Sequence, residues 1–213
     1  MTFRVIEAEQ RSEAWFQARL GRLTGSCAGD MLAKIKTGEA AARRDLRMQL
    51  VVERLTGKPQ EEGFISPAMQ RGIDLEAAAI AAYEGATGNL VRSTGFLACD
   101  ELLAGCSLDG DVDNFTGILE CKCPKSATHL GYLRGQAVPA EHRAQMLHNC
   151  WISSAQWCDF ASFDNRFPAE LQLFVVRYTP TALELTDYEM AARTFLAEVD
   201  RELESVKGLM GHA

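Results

Sequence analysis

The chain has 213 residues, 47% of them hydrophobic and 24% charged, the profile of one globular domain with a sizeable core. A net charge of −7 excludes a uniformly basic nucleic-acid binder, while leaving room for clustered carboxylates and for cations confined to one channel. No apolar run reaches the roughly 18–20 residues of a membrane span, and MTFRVIEAEQ has no apolar signal region, so a cytoplasmic protein without a membrane partner is expected.

Seven cysteines form an odd set in a chain too large to need staples, which points to free thiols. Cys121 and Cys123 make C-x-C without a second pair at zinc spacing, so no zinc or iron–sulfur site is expected.

In chain order, Ser12 caps a short helix, EAWFQARL, that ends at Gly21. TGSCAGDMLAKI reads as a turn feeding a second short helix. A longer helix runs from about Glu39 to Thr56, with Leu46, Leu50 and Leu55 at helical spacing and Gly57 as its stop. Pro67 opens another, through Met69, Leu75, Ile80 and Tyr83, ending near Gly85. The pattern then changes to short apolar segments between polar turns, at Leu90–Cys99, Leu103–Leu108 and Gly117–Cys123, as strands require. A helix follows from Pro139–Glu141 to about Ser153, then strands at Trp157–Phe163 and Leu171–Tyr178. The tail from about Asp187 to Val206 is an amphipathic helix with Met190, Phe195, Leu196 and Val199 on its apolar side. This order predicts a single α/β domain over 1–213, with a mixed central sheet flanked by helices. Its parts are a helical stretch over about 1–88, a sheet core over about 89–180 and a C-terminal helix over about 182–208.

The segment CSLDGDVDNFTGILECKCPK carries the chemistry. Asp109 ends a predicted strand in an Asp-Gly turn, and the returning strand carries Glu120-Cys121-Lys122. Because side chains alternate, Glu120 and Lys122 share one face and Cys121 and Cys123 the other. Pairing the strands brings Asp109 towards Glu120, giving two carboxylates and an ammonium around one point. Hard oxygen ligands suit Mg²⁺ or Mn²⁺, which activates water and neutralises charge on a phosphate. Lys122 can orient the water and stabilise the transition state, and the backbone carbonyl of Cys121 is a further donor. A chain of this length contains about one Glu-x-Lys by chance, so the tripeptide gains weight only from its strand–turn–strand setting.

The motifs EAWFQARLGRLTGS, RGIDLEAAAIAAYE, CSLDG, LECKCP and RAQMLHNCW, in this order, resemble those of the bacteriophage lambda-type exonucleases, the YqaJ-type viral recombinase family. The resemblance covers nearly the whole chain and implies a restriction-endonuclease-like PD-(D/E)xK core. It implies a 5′-to-3′ double-stranded DNA exonuclease that releases 5′-mononucleotides and leaves a 3′ single strand for recombination by annealing. It also implies two Mg²⁺ ions, replaceable by Mn²⁺, a ring-shaped homotrimer, a single-strand annealing protein as partner, and a phage or prophage origin in a bacterial host. Asp109 and Glu120 match the family's metal carboxylates, and Lys122 its catalytic lysine. Glu76 matches a helix-borne glutamate reaching the metal through water, and Gln145 a glutamine that holds the attacking water. Arg19, Ser26 and Ser107 match a pocket for the 5′-phosphate, where a forked guanidinium and short hydroxyls grip a terminal phosphate. Where the prototype has a second phosphate-binding arginine, this chain has Thr128, with Lys125 as the nearby point charge. A structure-selective or restriction-like endonuclease, and a catalytically inactive module that binds DNA ends, are the alternatives.

Trp15 and Trp151 read as core residues by their helix positions. Arg43, Arg44 and Arg47 form either a DNA-facing stripe or a solvated face. His129, His142 and His148 lack metal spacing and receive no role.

Overall fold

The computed structural model describes residues 2–60 and 66–210. Its larger sheet has five strands in the order β3 (Val91–Arg92), β6 (Gly110–Val112), β7 (Gly117–Lys122), β8 (Trp157–Phe163) and β9 (Leu173–Tyr178). Only β7 and β8 run parallel, and the connection between them carries α5 (Ser126–Gly135) and α6 (Ala140–Ser153), as a parallel crossover requires. The sheet is therefore mixed. A second, four-stranded sheet joins β1 (Arg4–Ile6), β4 (Phe96–Cys99), β5 (Ala104–Ser107) and β2 (Leu23–Thr24).

Alternation along β7 sorts its side chains between two layers. Leu119 and Cys121 pack with Ala79 and Tyr83 of α4 (Pro67–Thr87), together with Ala161 and Phe163 of β8. Ile118 and Phe160 join the main core on the other side, with Met146, Cys150 and Ile152 of α6. Outside α6 lies α7 (Ala182–Met210), which buries Phe195, Leu196 and Val199 against the same core and contacts α3 (Ala41–Thr56). Full burial of each such side chain contributes roughly 1.5–3 kcal/mol, which makes these two faces the main support of β7.

Most expected elements are present, with Ser12 and Ser66 as side-chain N-caps of α1 (Glu13–Arg19) and α4. Four differences have physical reasons. The expected strand Leu90–Cys99 divides between the two sheets, and at Gly95 the backbone passes so close to Ile6 that no side chain fits. Strands β1 and β2, and helix α5, lie in stretches too short or too weakly periodic to read alone. The stop of α4 is Gly88, at φ 74°, one residue past Thr87 rather than at Gly85. Met190 is 56% exposed and so leaves the apolar side of α7 assigned to it.

Of Arg43, Arg44 and Arg47 on α3, two are neither a free stripe nor a solvated face: Arg43 bonds Glu39 and Glu198 of α7, and Arg47 bonds Glu39, tying α3 to its own start and to α7. Arg44 is exposed and pairs with its neighbour Asp45, as on a solvated face.

Candidate active site

The chain leaves the small sheet at Ser107 and enters the large one at Gly110, and Asp109 stands at that junction. It is not in the hairpin turn. The reversal lies at Asp113–Phe115, where three consecutive residues have positive φ. Gly110 pairs with Leu119, so the antiparallel register places Asp109 opposite Glu120. Past that point β7 has no strand on the β6 side, and the amide of Cys121 donates instead to Asp109 Oδ2 at 2.7 Å. The carbonyl of a strand residue leaves on the same side as its amide, so that of Cys121 faces the same opening.

Glu120 is 1% exposed and is held from two elements. Lys122 Nζ pairs with its Oε1 on the same face of β7, and Asn149 Nδ2 of α6 donates to its Oε2 at 3.1 Å. Burial pushes the Glu120 carboxyl up to about 7, with Asp109 adding to the rise and Lys122 opposing it. Burial acts to lower the pKa of the Lys122 ammonium, but Glu120 and Asp109 outweigh it and hold the group above its usual value. Glu76 of α4 is raised first by burial and then by Asp109, and Arg11 lies 3.7 Å from its carboxylate. Three acids and one ammonium thus influence one another electrostatically, with Glu120 buried and Glu76 and Lys122 partly open to the cleft.

Among the described residues no three His, Cys, Asp or Glu side chains close around a single point. The donor set is Asp109 and Glu120 with the neighbouring Cys121 carbonyl, and Glu76 on the adjoining wall. All of these donors are oxygens, and Glu120 is a buried carboxylate whose charge a cation would stabilise; that chemistry fits a hard divalent ion.

The group opens into a cleft of about 820 Å³ bounded by α1, the start of α4, the end of β7 and the α5–α6 region. On the α1 wall, Arg19 Nη2 donates to Ser26 Oγ at 3.2 Å and to Thr24 Oγ1 at 3.4 Å. Its guanidinium stacks 4.2 Å from the Trp15 ring, and Trp15 Nε1 donates to Ser107 Oγ at 2.7 Å. Arg19, Ser26 and Ser107 therefore belong to one connected cluster, with Trp15 as the link. Helix α1 has no buried residue, so Trp15 is a wall of the cleft and not core. Trp151, at 5% exposure, is core as expected. Gln145 is half-buried one turn before Asn149, on the face of α6 that looks towards Gly25 and Glu120. Thr128 and Lys125 are exposed at the start of α5 and line no part of the cleft.

Against this geometry, the YqaJ-like viral recombinase domain matches residues 14–156. The chain belongs to the YqaJ-like viral recombinase family. Within that family's fold it is similar to the alkaline exonuclease LHK-Exo from Laribacter hongkongensis, at 35% identity and TM-score 0.86, over 94% of this chain and 99% of that one. A structure of LHK-Exo in complex with dAMP gives 34% identity with the same coverage and TM-score. A phage-related exonuclease from Haemophilus somnus 129PT, 16% identical with TM-score 0.65 over 85% of this chain and 96% of that one, shares the fold. Comparison with curated proteins finds no match. Family and neighbours together support a nuclease with a lambda-exonuclease-like PD-(D/E)xK fold. Among the described residues no helix is long and apolar enough to cross a membrane.

Several cleft residues escaped the sequence reading of this YqaJ-like chain. Tyr132 donates to Glu141 at 2.8 Å and meets His142 Nε2 at 3.2 Å, and all three line the cleft. His142 is held below its usual pKa by burial and by Lys122. Nothing in the spacing marks Tyr132, because α5 itself was not legible. Asn149 had a usable signal: it lies four residues after Gln145, hence on the same helix face.

Proposed function

We propose that this protein is a metal-dependent 5′-to-3′ double-stranded DNA exonuclease that releases 5′-mononucleotides and leaves a 3′ single strand for annealing. The observation that carries the reading is the meeting of Asp109, Glu120 and Lys122 at the end of β7. The cleft they open into is lined by Arg19 and Trp15, which bond Ser26 and Ser107 behind them. A mononucleotide product suits the similar LHK-Exo, whose structure was determined with dAMP.

Asp109, Glu120 and the Cys121 carbonyl would hold Mg²⁺ or Mn²⁺, with Glu76 at the edge of the set; two such ions are proposed. When bound, the metal supplies Lewis acidity and a more acidic water. The ammonium of Lys122, kept protonated by its acidic neighbours, places positive charge where the phosphate becomes more anionic. Gln145 helps to hold the attacking water. Arg19 presents a forked donor to the 5′-phosphate, and Ser26 and Ser107 add hydroxyls. This grip sets the terminal nucleotide's distance from the acids. A homotrimeric ring, a single-strand annealing partner, and action in the cytoplasm of a bacterial host complete the proposal.

The test is digestion of end-labelled linear duplexes bearing a 5′-phosphate or 5′-hydroxyl, with and without Mg²⁺, beside a covalently closed circle. Expected are metal-dependent release of 5′-mononucleotides from phosphorylated ends and an intact circle. Cutting of the circle would replace the exonuclease by an endonuclease. Release without divalent metal would remove the mechanism.

A further inference from the structure

We propose that Asn149 is a positioning residue that fixes the Glu120 carboxylate for divalent-metal binding, and that Gly25 is kept side-chain-free to seat it. This inference rests on the reading of Glu120 as a metal ligand.

Three observations converge. Asn149 and Glu120 are each 1% exposed, and the amide Nδ2 donates to Oε2 at 3.1 Å. Lys122 forms an ion pair with Oε1, which accepts no hydrogen bond among the described residues, so the Asn149 amide supplies the hydrogen bond that orients the carboxylate. An amide that donates to an anion cannot be turned over without setting two acceptors face to face, so its orientation is fixed by chemistry. The second observation is Asn149 Oδ1, which is buried and has no hydrogen-bond partner among the described residues. Glu120 Oε1 is likewise unpaired, so two buried acceptors without donors lie on the two partners of one contact, an arrangement that costs free energy and that a cation would relieve. The third is Gly25, in the 3₁₀ turn Gly25–Cys27 that also carries Ser26. A methyl group there would lie far inside van der Waals contact of Asn149 Oδ1. The φ of Gly25 is not in the left-handed region, so the glycine is needed for space and not for backbone freedom. The turn bearing a phosphate-cluster hydroxyl and the carboxylate at the metal site thus meet through one amide.

Residues that orient ligands in this way typically carry a tenfold to hundredfold share of metal affinity. The experiment measures Mn²⁺ binding to the DNA-free protein by calorimetry, beside the Mg²⁺ concentration that half-activates digestion, in wild type and Asn149→Leu. Expected is a loss of Mn²⁺ affinity of about tenfold or more, a matching rise in the Mg²⁺ midpoint, and an unchanged KM for duplex DNA. Should the branched chain prevent folding, Asn149→Ala, which leaves room for water, takes its place in the same measurements. Gly25→Ala is expected to weaken Mn²⁺ in the same direction, and Gly25→Ala combined with Asn149→Ala to be no worse than the poorer single variant, because both act through one contact. Wild-type binding that persists unchanged in the Asn149 variants overturns the proposal and leaves the nuclease reading intact. A wild type that binds no Mn²⁺ removes the metal reading itself, and this inference with it.

Discussion

Two buried acids on adjacent strands, Asp159 of β8 and Glu120 of β7, meet opposite fates. Asp159 is 2% exposed, and its oxygens are taken by Arg177 at 2.7 and 2.9 Å and by the Tyr83 hydroxyl at 2.7 Å. Asp164, at the end of the same strand, is likewise enclosed by Arg71, Arg166 and Ser126. Glu120 has one amide donor on Oε2 and an ion pair with Lys122 at Oε1, which accepts no hydrogen bond, and the Asn149 oxygen is unpaired as well. A closed hydrogen-bond shell marks an acid that holds the fold together. An open one, carrying excess negative charge, suits the proposed role of Glu120 as a metal ligand.

The largest effect that tests this contrast is on catalysis. Lys122→Ala should lower mononucleotide release by about 10²–10³-fold or more while duplex binding, measured in a gel-shift assay, survives. Activity near wild type would show that the open shell has no chemical use.

Stability offers the next effect, in His148, a closed polar group next to Asn149 on α6. Its Nδ1 meets Tyr188 OH at 2.7 Å and its Nε2 donates to the Gly105 carbonyl at 2.9 Å. Burial lowers its pKa to about 4. The unfolded chain takes up this proton near pH 6.5, so between 6.5 and 4 the unfolded state binds more protons and stability falls as pH falls. Glu120, raised to about 7, contributes with the opposite sign in the same window, so the His148 share is read as a difference: relative to His148→Gln, wild type should lose roughly 3 kcal/mol between pH 6.5 and 4 in urea denaturation. Parallel pH profiles of the two proteins would assign the slope to other groups.

A direct exchange of the two acids comes third. Asp159→Leu strands the Tyr83 hydroxyl and Arg177, and should lower unfolding free energy by about 1–3 kcal/mol with activity per folded molecule retained. Glu120→Gln removes a buried carboxyl whose ionisation burial already opposes, and should change stability by less than about 1 kcal/mol while activity is lost. Equal destabilisation by both would erase the distinction drawn from their shells. The smallest effect concerns the cleft wall. Arg19→Ala should reduce preference for 5′-phosphate over 5′-hydroxyl ends by about tenfold, close to one charge-assisted hydrogen bond. Identical preference before and after would remove Arg19 from the end-binding cluster.

Local physics made part of this molecule legible without coordinates. Period-2 alternation in GILECK put Glu120 and Lys122 on one face, and Ser12, Pro67 and Gly57 bounded helices, because those signals act within a few residues. Motif resemblance brought Arg19, Ser26 and Ser107 into one expected pocket, and they do form one cluster. What the sequence could not supply depends on contacts between distant segments. Trp15 lies on a helix that reads as amphipathic, yet α1 has no buried residue, and the Trp15 indole bonds Ser107, 92 residues on. Arg43 and Arg47 look like a basic stripe until Glu198 arrives from α7. The division of Leu90–Cys99 between two sheets, the place of Tyr132 in the cleft, and the passage of Asn149 past Gly25 to Glu120 were decided only by packing. Short-range sterics and hydrogen bonding determine the elements; which polar atoms are left open is settled when the layers close.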